Sequence, residues 1–300
     1  LVAWLTIPEL GKVLSEAPVS AMRNAFLLGA FYGIGGTAFG LAIKHLGFSL
    51  TYAIAIGISC ILGTLLPPLV AGQMAELMAK TGSSWIFAGM AIGVVGILLS
   101  GMAGRFKELD LNDQSSTFNL GKGLPLCLLA GVLSAVYGFS LAAGQPIADV
   151  AAKYGAGQYE GNVIYIFSNS GAFLTTLLYC MFLHKKEGSM GEYFELSEGT
   201  CHKRLPLNFG LALLTGCLWY GQFFFYGLGH TRMSDFKFSS WGIHMIMLVL
   251  FSAIIGLIFK EWKGCRTRTK SILITSLGIL ILAVLALSHG SLLGESATAH

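Results

Sequence analysis

Charge is scarce in this chain. Asp, Glu, Lys and Arg together make up 11% of its 300 residues, against roughly 25% in soluble domains. The scarcity is also uneven. Between Asn24 and His289 lie eight stretches, each of about 20 residues. They hold no internal Asp, Glu or Arg, and Lys44, near the end of the first, is their single Lys. A stretch of that length matches the hydrocarbon thickness of a bilayer. The chain therefore reads as a polytopic membrane protein, which excludes most soluble functions.

Short motifs with a known chemistry are missing too. No GxxxxGK[ST] run is present to cradle a phosphate, so direct ATP drive has no support. HExxH and GxSxG are absent, and no basic tract interleaved with aromatics points to nucleic acid. No clustered catalytic set is visible, so an enzyme is not expected, and no cofactor is implied. The six Cys (Cys60, Cys127, Cys180, Cys201, Cys217 and Cys265) form neither a CxxC pair nor a metal-ligand spacing. Four lie in apolar spans and read as small core residues. With no interior carboxylate, proton coupling would have to use imidazoles or acids at the span edges.

What is present is mostly apolar. Hydrophobic residues make up 54% of the chain, and mean hydropathy is +0.70. The spans read as 24–46, 48–71, 84–104, 123–143, 161–183, 207–229, 239–259 and 271–290. Membrane strands would need alternating segments of about ten residues, and these runs are continuous and twice as long, so helices are expected. His45-Leu46-Gly47-Phe48 makes a hairpin-tight link between the first two. Pro67 and Pro68, and likewise Gln145 and Pro146, read as helix terminators. Leu1–Ile7 reads as the tail of an earlier span, ended by Pro8 and Glu9. The expectation is a single membrane domain over 1–300, with 1–104 the remainder of a first helical half and 123–290 the second.

The 39 Gly suit close helix packing in membranes. Gly29 and Gly33, Gly36 and Gly40, Gly89 and Gly93, and Ser134 and Gly138 recur four apart. Gly35, Phe39 and Lys44 fall 186 residues before Gly221, Phe225 and His230, a faint repeat of the kind secondary transporters use. Of the 19 Lys and Arg, 13 fall in one set of alternate connections and 6 in the other. The richer set includes Lys107, Lys185, Lys186 and Lys260, and should face the cytoplasm.

The densest polar constellation is Trp219-Tyr220-Gly221-Gln222-Phe223-Phe224-Phe225-Tyr226-Gly227-Leu228-Gly229-His230. Trp219, Gln222, Tyr226 and His230 share one helical stripe, which should face the bundle interior or a wet cavity. An amide with flat aromatic faces suits a sugar or another polyol. An aromatic membrane-interface belt with one interhelical hydrogen bond from Gln222 fits the same residues. His244 lies about 7 Å along the next helix from Ser239. It reads either as a hydrogen-bonded core histidine or as a proton carrier. Asn169, between Ser168 and Ser170, needs a partner inside its span, either a neighbouring helix or a substrate hydroxyl. Asp149, Glu160 and Asp235 are the acids at the span edges on the side expected outside.

These residues carry a resemblance. Trp219 to Tyr226, with Gly229-His230, resembles the signature region of the bacterial L-rhamnose–proton symporters. The likeness continues through Ser240-Trp241, His244-Met245, Ile255-Gly256-Leu257 and Lys260-Glu261-Trp262. Upstream it covers Gly33-Ile34-Gly35, Gly40-Leu41, Leu46-Gly47, Ile54-Ala55-Ile56-Gly57 and Gly63-Thr64-Leu65. That resemblance implies the drug/metabolite transporter superfamily, an all-helical bundle of ten helices in two inverted halves, and a central substrate path. Eight full spans and one partial span fit ten if the first helix and part of the second precede Leu1. It further implies proton-coupled uptake of a deoxy sugar across the bacterial inner membrane. The partners would then be a small sugar, a proton and the lipid bilayer. Trp219, Tyr220, Gln222, Tyr226 and Asn169 are the expected substrate residues, and His230 and His244 the expected proton-coupling residues. A facilitator or exporter of another small metabolite is the alternative. At Gly36-Thr37-Ala38-Phe39 the chain departs from the family's usual Asn and Tyr. If that position touches the sugar, the substrate differs from rhamnose.

Overall fold

The computed structural model describes residues 1–111, 119–193, 205–231, 233 and 239–298. The helices in order are α1 (Val2–Thr6), α2 (Leu10–Glu16), α3 (Val19–Leu46), α4 (Phe48–Val70), α5 (Met74–Ala79), α6 (Ser83–Asp110), α7 (Leu120–Lys153), α8 (Ile164–Glu187), α9 (Leu205–His230), α10 (Ser240–Ile258) and α11 (Thr267–Thr298). A 3-10 segment, Gly157–Val163, leads into α8. Among the described residues there is no strand, and eight helices are long and apolar enough to cross a membrane. They coincide with the eight expected spans. The chain is a multi-pass, all-helical membrane protein.

The expected helix end at Pro146 needs correction. Pro146 does not end α7, which continues to Lys153. Proline removes one backbone donor, but the turns beyond it are held by packing. Ile147, Ala148 and Ala151 are buried against Ile7, Val13 and Val163. Gln145 also donates to Asp149 Oδ1 over 2.9 Å, one turn on. Within Leu1–Ile7 lies the five-residue α1. Its Ala3 and Ile7 pack into that same cluster, and its Thr6 hydroxyl accepts from Asn162 Nδ2 at 2.9 Å. Pro67 and Pro68 fall in the last turn of α4, which ends at Val70 as read.

The bundle has two tightly packed groups. α3 lies along α7 and α8, and α6 lies along α11; α4 joins them by touching α6, α7 and α10. Small residues permit the closest crossing. A Cβ on Gly29 or Gly171 would collide with the backbone of the facing helix at Ser168 or Phe26, so α3 and α8 meet backbone to backbone. The Gly36 and Gly40 pair behaves differently, because neither faces any atom within 4 Å. Gly47 makes the whole α3–α4 link with a φ of 81°, a conformation that glycine adopts without steric cost.

α9 is the loosest of the long helices. It touches α10 and the 3-10 segment, and Phe223 is its buried residue. The cysteines divide accordingly. Cys60, Cys127 and Cys265 are buried, whereas Cys180 and Cys217 are exposed on α8 and α9. The expectation of core positions therefore fails for the last two, whose helices turn those faces outward. Cys201 lies outside the described residues.

One end of the bundle is tied shut. Lys107 Nζ pairs with Glu261 Oε2 at 2.9 Å and sits 5.0 Å over the Trp262 ring. Asp110 Oδ2 accepts from the Arg266 backbone N–H at 2.9 Å and from the Thr269 hydroxyl at 2.6 Å. Glu108 Oε1 accepts from the Ser49 N–H at 3.1 Å. This is the end that carries the richer set of Lys and Arg. A hollow of about 130 Å³ lies just inside it, with Ser100 and Ser252 in its wall.

Candidate functional site

The opposite end is open. Here α4 and α9 finish and α10 begins, and a cavity of about 560 Å³ runs inward between them, bordered by α7 and the 3-10 segment. Its size suits a small ligand. Gln73, Gln145, Glu160, His230 and Thr231 give it polar groups, while Tyr165, Tyr226 and Trp241 give it aromatic walls.

Trp241 is buried, and three helices fix it. Its Nε1–H donates to Ser59 Oγ on α4 at 3.2 Å, and the Ser59 hydroxyl donates to Ser134 Oγ on α7 at 3.0 Å. The indole lies flat against α4 because Gly63 has no side chain; a Cβ there would sit 2.5 Å from Nε1. Behind it, Tyr137 is fully buried. Its ring lies 4.5 Å from Tyr32, 5.0 Å from Phe223 and 5.9 Å from Trp241. Its hydroxyl donates to Asn169 Oδ1 at 2.6 Å. Tyr137 thus joins α3, α7, α8, α9 and α10 at one point. Tyr165 donates to the Phe223 carbonyl at 2.8 Å, anchoring α9 on α8.

The polar heart of the cavity is Ser240, at the first turn of α10. Its Oγ lies 2.9 Å from the Tyr226 hydroxyl and 2.7 Å from His230 Nδ1. The Tyr226 ring stacks on His230 at 5.7 Å and meets Trp241 at 5.8 Å and His244 at 5.1 Å. Tyr226, His230 and His244 therefore form one cluster, although they sit on two helices.

The other expected site residues lie elsewhere. Trp219 and Asn169 line a second hollow, an open lateral groove of about 650 Å³ between α3 and α8. Tyr137 touches Asn169 of this groove and Trp241 of the cavity, and Phe223 packs on Trp219 and Tyr137. Tyr220 is half-buried, its ring 6.1 Å from Tyr165. Gln222 is half-buried and is not among the residues lining either hollow. The buried residue of α9 is Phe223, beside that stripe and edge-on to Trp219 at 4.9 Å. A helix admits i+4 as readily as i+3, and the sequence analysis took the i+3 position, Gln222. His244 is half-buried behind Tyr226 rather than on the cavity lining. Asn169 has the interhelical partner described above, and its buried Nδ2 has no hydrogen-bond partner. Of the edge acids, Glu160 lines the cavity and Asp149 is exposed; Asp235 lies outside the described residues.

Tyr137, Tyr165, Trp241 and Ser240 were not singled out as site residues from the sequence. Ser240-Trp241 stood inside the region of likeness, which was the available signal. Tyr137 had none, since a lone tyrosine in an apolar span reads as core. The Gly36–Phe39 departure falls away from the cavity. Gly36 and Thr37 face the lateral groove, and Phe39 packs on Tyr52 at 6.1 Å.

Residues 1–293 match the family model described as L-rhamnose-proton symport protein (RhaT). An L-rhamnose-proton symporter of Mannheimia succiniciproducens is 34% identical, covering 93% of this chain and 81% of its own length. That of Klebsiella pneumoniae subsp. pneumoniae is 32% identical over 95% of this chain and 85% of its own. That of Cronobacter sakazakii is 34% identical over 95% and 82%. No solved structure matches the chain.

Proposed function

The chain belongs to the L-rhamnose-proton symport protein family, and from that premise we propose that it takes up a deoxy sugar of the L-rhamnose type together with a proton across the bacterial inner membrane. The observation that carries this reading is the match over residues 1–293, joined to a cavity in which an imidazole, two hydroxyls and three aromatic rings converge. The rings offer flat faces to the apolar side of a sugar. Ser240, Tyr226, Gln145 and Glu160 offer donors and acceptors to its hydroxyls. A proton moving down the membrane potential supplies about 2.3 kcal/mol per 100 mV.

In this reading Tyr226 and Trp241 contact the sugar, and His230 and His244 handle the proton. Tyr220 acts through Tyr165, and Asn169 acts through Tyr137. Trp219 and Gln222 lie beyond Phe223. The basic end faces the cytoplasm and the cavity faces outside, so the structure corresponds to the loading state.

The same reading includes the drug/metabolite transporter superfamily and its ten-helix, inverted-repeat arrangement. Its support is the order of the helices. α3, α4 and α6 precede α9, α10 and α11 by five spans each, and an odd number of crossings makes the two sets antiparallel. The repeat of Gly35, Phe39 and Lys44 falls on α3 and α9.

The test is uptake in cells that lack their own rhamnose transport. Adding L-rhamnose to cells making the protein should alkalinise an unbuffered medium as sugar accumulates. Sugar entry without alkalinisation would favour a facilitator, and no entry of any deoxy sugar would overturn the reading.

A further inference from the structure

We infer that Ser240 is the coupling residue, a hydroxyl switch that lets protonation of His230 decide whether Tyr226 offers its proton to the sugar. This rests on the symport reading above and assigns the linkage within that site. The geometry is a chain of three groups. Tyr226 Oη, Ser240 Oγ and His230 Nδ1 are joined by contacts of 2.9 and 2.7 Å, and all three line the cavity.

Donor arithmetic makes the chain directional. A hydroxyl has one proton to donate, while an imidazolium donates from both nitrogens. The switch assigns neutral His230 the Nε2–H tautomer, which accepts at Nδ1. Ser240 then donates to His230 and accepts from Tyr226, so the tyrosine proton is held within the chain. When a proton binds at Nδ1, that N–H donates to Ser240. The Ser240 hydroxyl rotates and donates to Tyr226 Oη, and the Tyr226 proton swings into the cavity. One N–H bond forms and no O–H bond breaks; only two hydroxyls turn. The protonated site gains a donor aimed at a sugar hydroxyl, and by linkage sugar binding takes up a proton.

Other titratable groups surround His230. Among the described residues, Glu160 of the 3-10 segment and Tyr165 of α8 line the same cavity, and the His244 ring on α10 lies 5.1 Å from that of Tyr226. Glu160 can change the site's affinity for a proton, but it is not part of the hydroxyl chain. The switch therefore predicts that the pH dependence of sugar affinity belongs to Ser240 and Tyr226.

The test measures L-rhamnose binding to the purified full chain at about pH 6 and about pH 8, either side of the ordinary imidazole value of about 6.5. The wild-type protein should bind about tenfold more tightly at the lower pH, a usual size for coupled sites. Ser240→Ala should bind with the same affinity at both. Tyr226→Phe should do the same, and the double variant should add nothing. If Ser240→Ala misfolds, Tyr226→Phe carries the test alone. A variant that keeps the wild-type pH dependence overturns the switch while leaving symport intact, as does wild-type binding that ignores pH. A wild-type chain that binds no rhamnose overturns the functional reading and this one with it.

Discussion

The Tyr137 hydroxyl and Asn169 Oδ1 are 2.6 Å apart, and this contact ties α7 to α8 where the aromatic cluster is densest. Tyr137→Phe keeps the ring contacts with Tyr32, Phe223 and Trp241 but strips Asn169 of its donor. Leaving a buried polar group unpaired costs about 1–3 kcal/mol. Denaturation of the purified protein should show that loss. Asn169→Ala should cost less in the Tyr137→Phe background than in the wild type; equal costs would separate the two residues.

Gly63→Ala should displace Trp241. The new methyl would fall 2.5 Å from the indole Nε1, so the ring must leave α4 and its bond to Ser59. Overpacking of this kind costs about 1–3 kcal/mol. Tryptophan fluorescence should shift, and rhamnose affinity should drop. An unchanged spectrum would mean that the indole is not held where the structure puts it.

Lys107 and Glu261 close the basic end with side chains 23% and 55% exposed. A pair this open to water contributes about 0–1 kcal/mol. Lys107→Ala should accordingly bias the protein only slightly toward opening at that end. A cysteine at Ser252, in the hollow beneath, should react with a thiol reagent up to about fivefold faster in that background. No acceleration would remove the pair from the closure.

Asp110 caps α11 from a different helix. Its carboxylate takes the Arg266 N–H and the Thr269 hydroxyl and places negative charge at a helix N-terminus. Asp110→Ala should lower stability by the loss of this cap, and Asp110→Asn should keep part of it through its amide oxygen. Thermal stability of the two variants in detergent tests this ordering.

Gln222→Ala should change rhamnose affinity by no more than about twofold, because Phe223 takes the inward position on α9. A loss of about tenfold or more would return Gln222 to the site.

The spans were legible because 20-residue apolar runs leave few alternatives in a bilayer. The tight turn at Gly47 was legible for the same local reason. Close packing could be read from Gly29 and Gly33, though not its partner α8, and the same spacing at Gly36 and Gly40 marks an open groove. Spacing reports which residues share a helix face and says nothing of what lies opposite it. The site was half legible. Tyr226 and His230 were read on one stripe with Trp219 and Gln222, and His244 apart from them, while Trp241 and Ser240 were reached only through likeness. The turns of α7 beyond Pro146 were missed because Ile147 and Ala151 gain partners from Ile7 and Val13, more than a hundred positions away, as well as from Val163.

The sequence alone determined that this chain folds as long apolar helices with few charges between their ends. Backbone hydrogen bonding and lipid solvation are satisfied within each segment, so each segment carries its own instruction. Tertiary structure decided which side chains meet. Ser240 joins Tyr226 to His230 because two consecutive helices fold back on each other, and Gly63 admits Trp241 because two helices distant in sequence lie together. Contacts of that kind depend on the packing of whole faces, which no single segment contains.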